Sequence, residues 1–229
     1  MTTRTTDLEI THGLRWLVGG LALLVVGFLF GILIALGTDI LDIDGWWNTL
    51  VGTFYQGIRP FSLLMNFLGG GWFATYAVPL GVAVALVLAR RPWSALMFLV
   101  ATALSAGLVQ VLKSAFGRAR PEDMLVISDH GSFPSGHTAN AATMAVLLVI
   151  IFPRVWVFVA GLVWTLLMGF SRTQVHAHWF SDTVGGAILG AGAALVVAAA
   201  FTIPILQERE RAAARTSMFL QRERGASLG

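Results

Sequence analysis

Cysteine is absent from the 229 residues, so the fold owes nothing to disulfides and offers no thiolate for nucleophilic or zinc chemistry. Charge is scarce as well. Asp, Glu, Lys and Arg make up 12% of the chain, against about a quarter in an ordinary soluble domain, which is too few to coat a water-soluble globule. The 56% of hydrophobic residues excludes disorder and collagen-like repeats. A formal charge of +3 is too small and too scattered to suggest a nucleic-acid partner. Lysine is nearly missing: 14 Arg accompany one Lys, Lys113.

What the chain has instead is long uncharged apolar runs. A helix needs about 20 apolar residues to cross the ~30 Å hydrocarbon layer, and windows at 16–37, 72–89, 93–112, 137–152, 155–170 and 181–205 approach that length. They predict an all-α, six-transmembrane-helix bundle over residues 1–206, one integral membrane domain, followed by an Arg-rich cytoplasmic tail over 207–229. The first window is too long for a signal peptide and lacks a clear cleavage site, so it reads as a retained anchor. Residues 61–89 are uncharged throughout, but Gly69-Gly70-Gly71 breaks the run. The windows at 137–152 and 155–170 are short and must draw on neighbouring turns. Between spans one and two, Trp47, Leu50, Val51, Phe54 and Ile58 recur at helical spacing. That pattern predicts an interfacial amphipathic helix over 46–58, with a packed extramembrane helix as the alternative.

Arginine placement sets the expected orientation. Arg90, Arg91, Arg154 and the tail arginines Arg209, Arg211, Arg215, Arg222 and Arg224 fall on one side with Arg4 and Arg15, if six helices alternate. That side is expected to be the cytoplasm, with both termini inside and the acidic stretch Asp39, Asp42 and Asp44 outside. Lys113, Arg118, Arg120 and Arg172 disobey the rule by falling on the outer side. Basic residues kept there suggest an anion.

Three outer segments hold nearly all the polar residues near span ends: 113–121, 134–137 and 171–182. Arg supplies a planar fork and Lys a point charge for a phosphate dianion. Pro134-Ser135-Gly136 before a helix adds free N–H groups and the positive end of its dipole. Gly136 allows close approach, and Ser135 caps the helix or donates to a phosphate oxygen. His178 and Asp182, spaced i, i+4, share a helix face, so the carboxylate holds one imidazole nitrogen and frees the other to attack phosphorus. His137, at another helix start, is placed to protonate the departing oxygen.

These segments resemble the signature of the type 2 phosphatidic acid phosphatase superfamily: Lys, six residues, Arg-Pro; Pro-Ser-Gly-His; and Ser-Arg, five residues, His, three residues, Asp. Each fixed position is present: Lys113, Arg120 and Pro121; Pro134, Ser135, Gly136 and His137; Ser171, Arg172, His178 and Asp182. The resemblance implies a phosphohistidine on His178, Asp182 as its partner, and His137 as the acid. It implies a phosphate clamp of Lys113, Arg120 and Arg172, helped by Ser135 and Gly136, with no metal and no cofactor. It further implies a bacterial inner-membrane phosphatase whose site faces the periplasm or cell exterior. Substrates expected by resemblance are polyprenyl diphosphate, phosphatidylglycerophosphate or phosphatidate. Rivals are a lipid phosphotransferase using the same phosphohistidine and, from another class, a lipid or anion transporter without turnover.

Several residues carry plainer expectations. Arg118 matches no fixed position and reads as a headgroup contact or solvated charge. His176 is expected outside the reacting groups or exposed, His12 at the surface, and His130 in a loop near the entrance. Glu122, Asp123 and Asp129 read as a solvated loop, with substrate selection the alternative. Gly186 and Gly190 form a small-residue packing face on span six. The tail is expected as a lipid-attracted surface helix or a loosely ordered segment.

Overall fold

The computed structural model describes residues 2–37, 40–53 and 55–226, and every described element is helical. In chain order these are α1 (Thr2–Ala35), α2 (Ile40–Gly52), α3 (Tyr55–Gly69), α4 (Val78–Leu88), α5 (Pro92–Phe116), α6 (Gly136–Ile151), α7 (Val155–Gln174), α8 (Phe180–Ala200) and α9 (Thr202–Ala226). A π-helical turn, Phe73–Ala77, leads into α4. Asp39 and Phe54, invoked above for the acidic stretch and the amphipathic pattern, lie outside the described residues, as do positions 227–229 of the tail.

Among the described residues, four helices are long and apolar enough to cross a membrane: Thr11–Ala35 within α1, then α5, α7 and α8. A fifth crossing forms if Gly57–Gly69 and Phe73–Leu88, bent by 47° at their junction, count as one span. The remaining expected span, α6, is apolar but has only 16 residues, short of the length that marks the others. The single interfacial helix expected over 46–58 is also divided. At Thr53 both the backbone N–H and the hydroxyl reach the Leu50 carbonyl, at 3.1 and 2.7 Å. That i to i−3 closure tightens the chain and ends α2. The following segment, α3, is the first arm of the bent pair.

Helix α8 lies at the centre, packed against α1 on one side and α6 on the other. Small residues permit this. A Cβ at Gly190 would stand 2.2 Å from the Ala139 carbonyl oxygen of α6, and one at Gly186 2.5 Å from that of Ser135, so the two backbones touch where any side chain would separate them. An apolar core of Met97, Phe98, Ala101, Leu147, Ile151, Ala194 and Ile205 fills one end of the bundle. At that same end the Arg91 guanidinium donates to the Ile151 carbonyl at 3.0 Å and lies 4.9 Å over the Phe152 ring. Glu208 of α9 accepts there from the backbone N–H groups of Trp93 and Ser94, at 2.6 and 3.0 Å, and from the Ser94 hydroxyl at 2.7 Å. The tail is thus a helix docked on the start of α5, and it runs unbroken through position 206. Large apolar side chains such as Leu166, Val163 and Val159 of α7 face outward, as a lipid solvent requires.

Candidate active site

The polar residues gather at the opposite end of the bundle. Lys113 ends α5, His137 opens α6, Arg172 ends α7, and Asp182 sits in the first turn of α8. The Ser135 N–H donates to the Asp182 carbonyl at 3.0 Å, tying the second and third segments together.

His178 is 3% exposed and stands just before α8. Its Nδ1 lies 3.5 Å from Asp182 Oδ2, facing that oxygen without a hydrogen bond among the described residues. The Arg120 Nη1 lies 3.2 Å from its Nε2. A guanidinium can only donate, so Nε2 carries the lone pair and Nδ1 the proton facing the carboxylate. Burial pushes the imidazole down to about 4, although Asp182 pulls it upward. His178 is therefore neutral at pH 7, the form a nucleophile needs.

Asp182 is fully buried and surrounded. Oδ2 accepts from the Trp179 N–H at 2.9 Å and from the Ser132 hydroxyl, and Oδ1 accepts from Arg118. Arg118 continues to Asp44 of α2 at 2.7 Å. The Asp44 carboxylate, 2% exposed, also accepts from the Ser181 N–H and hydroxyl at 2.8 and 2.6 Å. Both expectations for Arg118 are overturned. It is neither a headgroup contact nor a solvated charge but a buried bridge between two carboxylates. Asp44, from the acidic stretch, is buried among the same contacts. A carboxylate with three donors has its desolvation offset locally.

On the other side of the site, His137 Nε2 donates to the Asn66 carbonyl at 3.2 Å. The Asn66 side chain accepts from Arg172 Nη1 at 2.7 Å. Arg172 is wholly buried, and its Nε and Nη2 have no hydrogen-bond partner among the described residues. A Cβ at Gly70 would fall 2.2 Å from His137 Nε2, so bare backbone forms the wall against that ring. Ser135 occupies the N-cap position of α6, but its hydroxyl makes no capping bond and instead accepts from Thr138 at 3.1 Å. The N–H groups of the first turn thus lack a side-chain cap. A Cβ at Gly136 would meet only Val109, at an ordinary 3.5 Å, so the protein itself does not demand glycine there.

Asp129 occupies the remaining cations. Its carboxylate accepts from Lys113 at 3.2 Å and Arg120 at 2.7 Å, and both cations also donate to the Gly131 carbonyl, at 2.8 and 2.7 Å. Burial pushes the Asp129 carboxyl up, but Lys113, Gln110 and Arg120 together outweigh this and hold it below its usual range. Burial also lowers Arg120, against the pull of Asp129 and Asp182. Asp129 is thus no mere solvated loop residue, whereas Glu122 is exposed. His176 is buried with Asp123 on its Nδ1 at 2.5 Å, a link that fastens the loop to the end of α7. His130 is exposed in the same loop.

Lys113, Asp129, Gly136, His137 and His178 line a cavity of about 620 Å³. It extends between the π-helical turn, α4 and α5 past Tyr76, Leu80, Leu99 and Ala103. Arg120, Arg172 and Ser135 stand behind this wall rather than on it. Chemically, the arrangement offers a neutral imidazole, a second histidine and Lys113 on the cavity wall, with Arg120 and Arg172 behind it, and a mixed lining in which Thr75, Thr102 and Ser105 stand beside Leu80, Leu99 and Ala103. Asn66, Gly70, Ser132, Asp44 and Arg118 were missed in the sequence, since no short-range spacing marks them.

Comparison with known proteins bears on the family and the fold. The PAP2 superfamily model matches residues 94–204. Lipid A 1-phosphatase of Rhizobium johnstonii is 30% identical over 152 residues, 61% of this chain and 60% of that protein. The chain thus spans somewhat less than two thirds of that relative's length. Phosphatidylglycerophosphatase B of Bacillus subtilis is 30% identical over 157 residues, 63% of this chain and 70% of that protein. The crystal structure of a transmembrane PAP2 type phosphatidylglycerolphosphate phosphatase from Bacillus subtilis superposes with a TM-score of 0.67 at 26% identity, covering 76% of this chain and 92% of that one. Aquifex aeolicus LpxE gives 0.59 at 23%, covering 69% and 93%, a likeness of fold alone.

Proposed function

Because the chain belongs to the PAP2 superfamily, we propose that it is an integral membrane phosphatase that hydrolyses a lipid phosphate or diphosphate through a phosphohistidine on His178. The observation that carries this reading is Arg172, a wholly buried guanidinium with two unpaired donors. Leaving charged donors unmatched in the interior is costly, and an arriving phosphate oxygen relieves the cost.

Phosphate enters the mouth and draws Lys113, Arg120 and Arg172 onto its oxygens, with the uncapped N–H groups of α6 as further donors. Arg120 thereby leaves the His178 Nε2 lone pair free. Nε2 attacks phosphorus, and the bond from phosphorus to the leaving-group oxygen breaks. That oxygen takes a proton from His137, which enters the step as an imidazolium stabilised by the bound phosphate dianion and leaves it neutral, while Asp182 supports the positive charge that develops on the His178 ring. Water then gives a proton to His137 and its oxygen attacks phosphorus. The P–N bond returns its electron pair to Nε2, and phosphate leaves. Three cations neutralise the equatorial charge that a divalent metal handles elsewhere, which supports a metal-free reaction.

The apolar side chains Leu80, Leu99 and Ala103 on the cavity wall suit a substrate whose tail stays in the bilayer while its phosphate enters the site. Polyprenyl diphosphate, phosphatidylglycerophosphate and phosphatidate all fit that description. Arg91 and Glu208 at the far end of the bundle agree with a cytoplasmic face there and an extracytoplasmic site. Residues 1–206 would form the catalytic domain and 207–229 its cytoplasmic appendage.

The test is phosphate release by purified protein from a panel of lipid mono- and diphosphates, with and without chelator. Turnover that survives chelation and disappears in His178→Ala is expected. Loss of turnover to chelator would sink the metal-free clamp, and lipid binding without release would turn the reading to a transporter.

A further inference from the structure

Helix α2 contributes to the site a carboxylate that belongs to none of the three motif segments. We propose that Asp44 and Arg118 are positioning residues, a buried brace that sets the orientation and the charge of the Asp182–His178 pair. The proposal rests on the phosphatase reading above.

Three contacts motivate it. Arg118 spans the two carboxylates, with Nη1 on Asp182 Oδ1 and Nη2 on Asp44 Oδ2. Asp44 Oδ1 accepts from the Ser181 N–H in the first turn of α8, so a side chain from α2 caps the helix that carries Asp182. Trp47, one turn along α2, donates from Nε1 to the Thr173 hydroxyl at 2.9 Å and lies 4.9 Å from the Phe180 ring. Helix α2 is therefore pinned to both α7 and α8 at the site. Arg118 takes the outer oxygen of Asp182 and leaves Oδ2 to Ser132, Trp179 and His178.

Charge gives the brace its second role. Asp44, Arg118 and Asp182 are largely or wholly buried, with side-chain exposures of 2%, 11% and 0%, and together carry one net negative charge. That single charge balances the imidazolium formed when Nε2 of His178 bonds to phosphorus. The other charged or titratable groups facing His178 are Arg120 and Lys113, at and after the end of α5, with Asp129 bridging them, and His137 on α6. None of these touches Asp44. Neutralising Asp44 leaves the brace uncharged overall, and neutralising Arg118 leaves it doubly negative.

The variants Asp44→Asn and Arg118→Gln, assayed on a short-chain lipid phosphate, separate this from a purely structural role. Both are expected to lower kcat by about tenfold or more, since small misplacements of a reacting group cost up to about a hundredfold. The competitive Ki of inorganic phosphate should stay within about threefold, because the clamp is untouched. The acid limb of kcat/KM, which reports the free enzyme, should move to lower pH in Asp44→Asn and to higher pH in Arg118→Gln. The double variant restores one net negative charge and should return the limb towards its original place. Arg118→Lys, which keeps the charge, should hold the limb in place even if Arg118→Gln does not fold. Limbs that move in the same direction, a Ki that weakens in step with kcat, or full activity in both single variants would overturn the brace. Absence of turnover in the parent protein would instead overturn the phosphatase reading.

Discussion

Asp129 is the group that an incoming phosphate has to displace, and that makes its removal informative. Its carboxylate bridges Lys113 and Arg120 while remaining 51% exposed, whereas the cations' side chains are 3% and 8% exposed. Exposure on one side screens each pair, so each falls towards the modest end of ion-pair strength, at most about 1 kcal/mol. Two such pairs oppose phosphate binding by about 1–2 kcal/mol, which is about 5- to 30-fold in affinity. The cations should not drift when Asp129 is gone, because the Gly131 carbonyl still accepts from both. Asp129→Ala is therefore expected to tighten inorganic phosphate about 5- to 30-fold as a competitive inhibitor of short-chain lipid phosphate hydrolysis. High salt should narrow the difference. An unchanged or weaker Ki would mean that Asp129 assists binding, as an acceptor from a protonated phosphate oxygen, and would refute its role as a competitor.

Other outcomes follow from particular contacts. His178 is held near 4 instead of 6.5, so it stays unprotonated in mild acid; the acid limb of kcat/KM should lie nearer 4, and a limb between 6 and 7 (the ordinary histidine range) would contradict the burial argument. Gly70→Ala places a methyl group 2.2 Å from His137 Nε2 and should lower kcat by about tenfold or more. Gly81→Ala, which meets nothing within 4 Å, is its control and should match the parent. Glu208→Ala strips three donors at the start of α5 of their charged acceptor and should destabilise the protein by about 2–4 kcal/mol, read as an earlier unfolding transition in detergent.

The motif residues were legible because chemistry fixes their spacing within a short stretch of chain. Lys113, His137, Arg172, His178 and Asp182 each stand at or near a helix end, where apolar periodicity gives way to polar residues. What supports them was not legible. Asp44 meets Ser181 across 137 positions and Arg118 across 74, and Asn66 meets Arg172 across 106. No local pattern signals such pairs, and an isolated acid beside a span reads as solvated until its partners are seen. Hydropathy located the apolar runs but not their geometry. It treated Gly69-Gly70-Gly71 as punctuation, whereas those residues turn one apolar stretch into a bent pair and bring bare backbone against the His137 ring. Nor did it reveal that α6 stops at 16 residues.

The docking of Glu208 on the first turn of α5 bears on where the chain tolerates a cut or an attachment. Helix α5 carries Lys113 near its far end and begins with backbone N–H groups at Trp93 and Ser94 that the tail satisfies. A truncation at 206, the natural choice if the Arg-rich segment were a dispensable appendage, would strip those groups of their acceptor. The helix that presents the lysine would then be left unanchored at its opposite end, about 30 Å away along the rod. Purification tags and fluorescent fusions belong where they leave Glu208 and its turn of α9 intact.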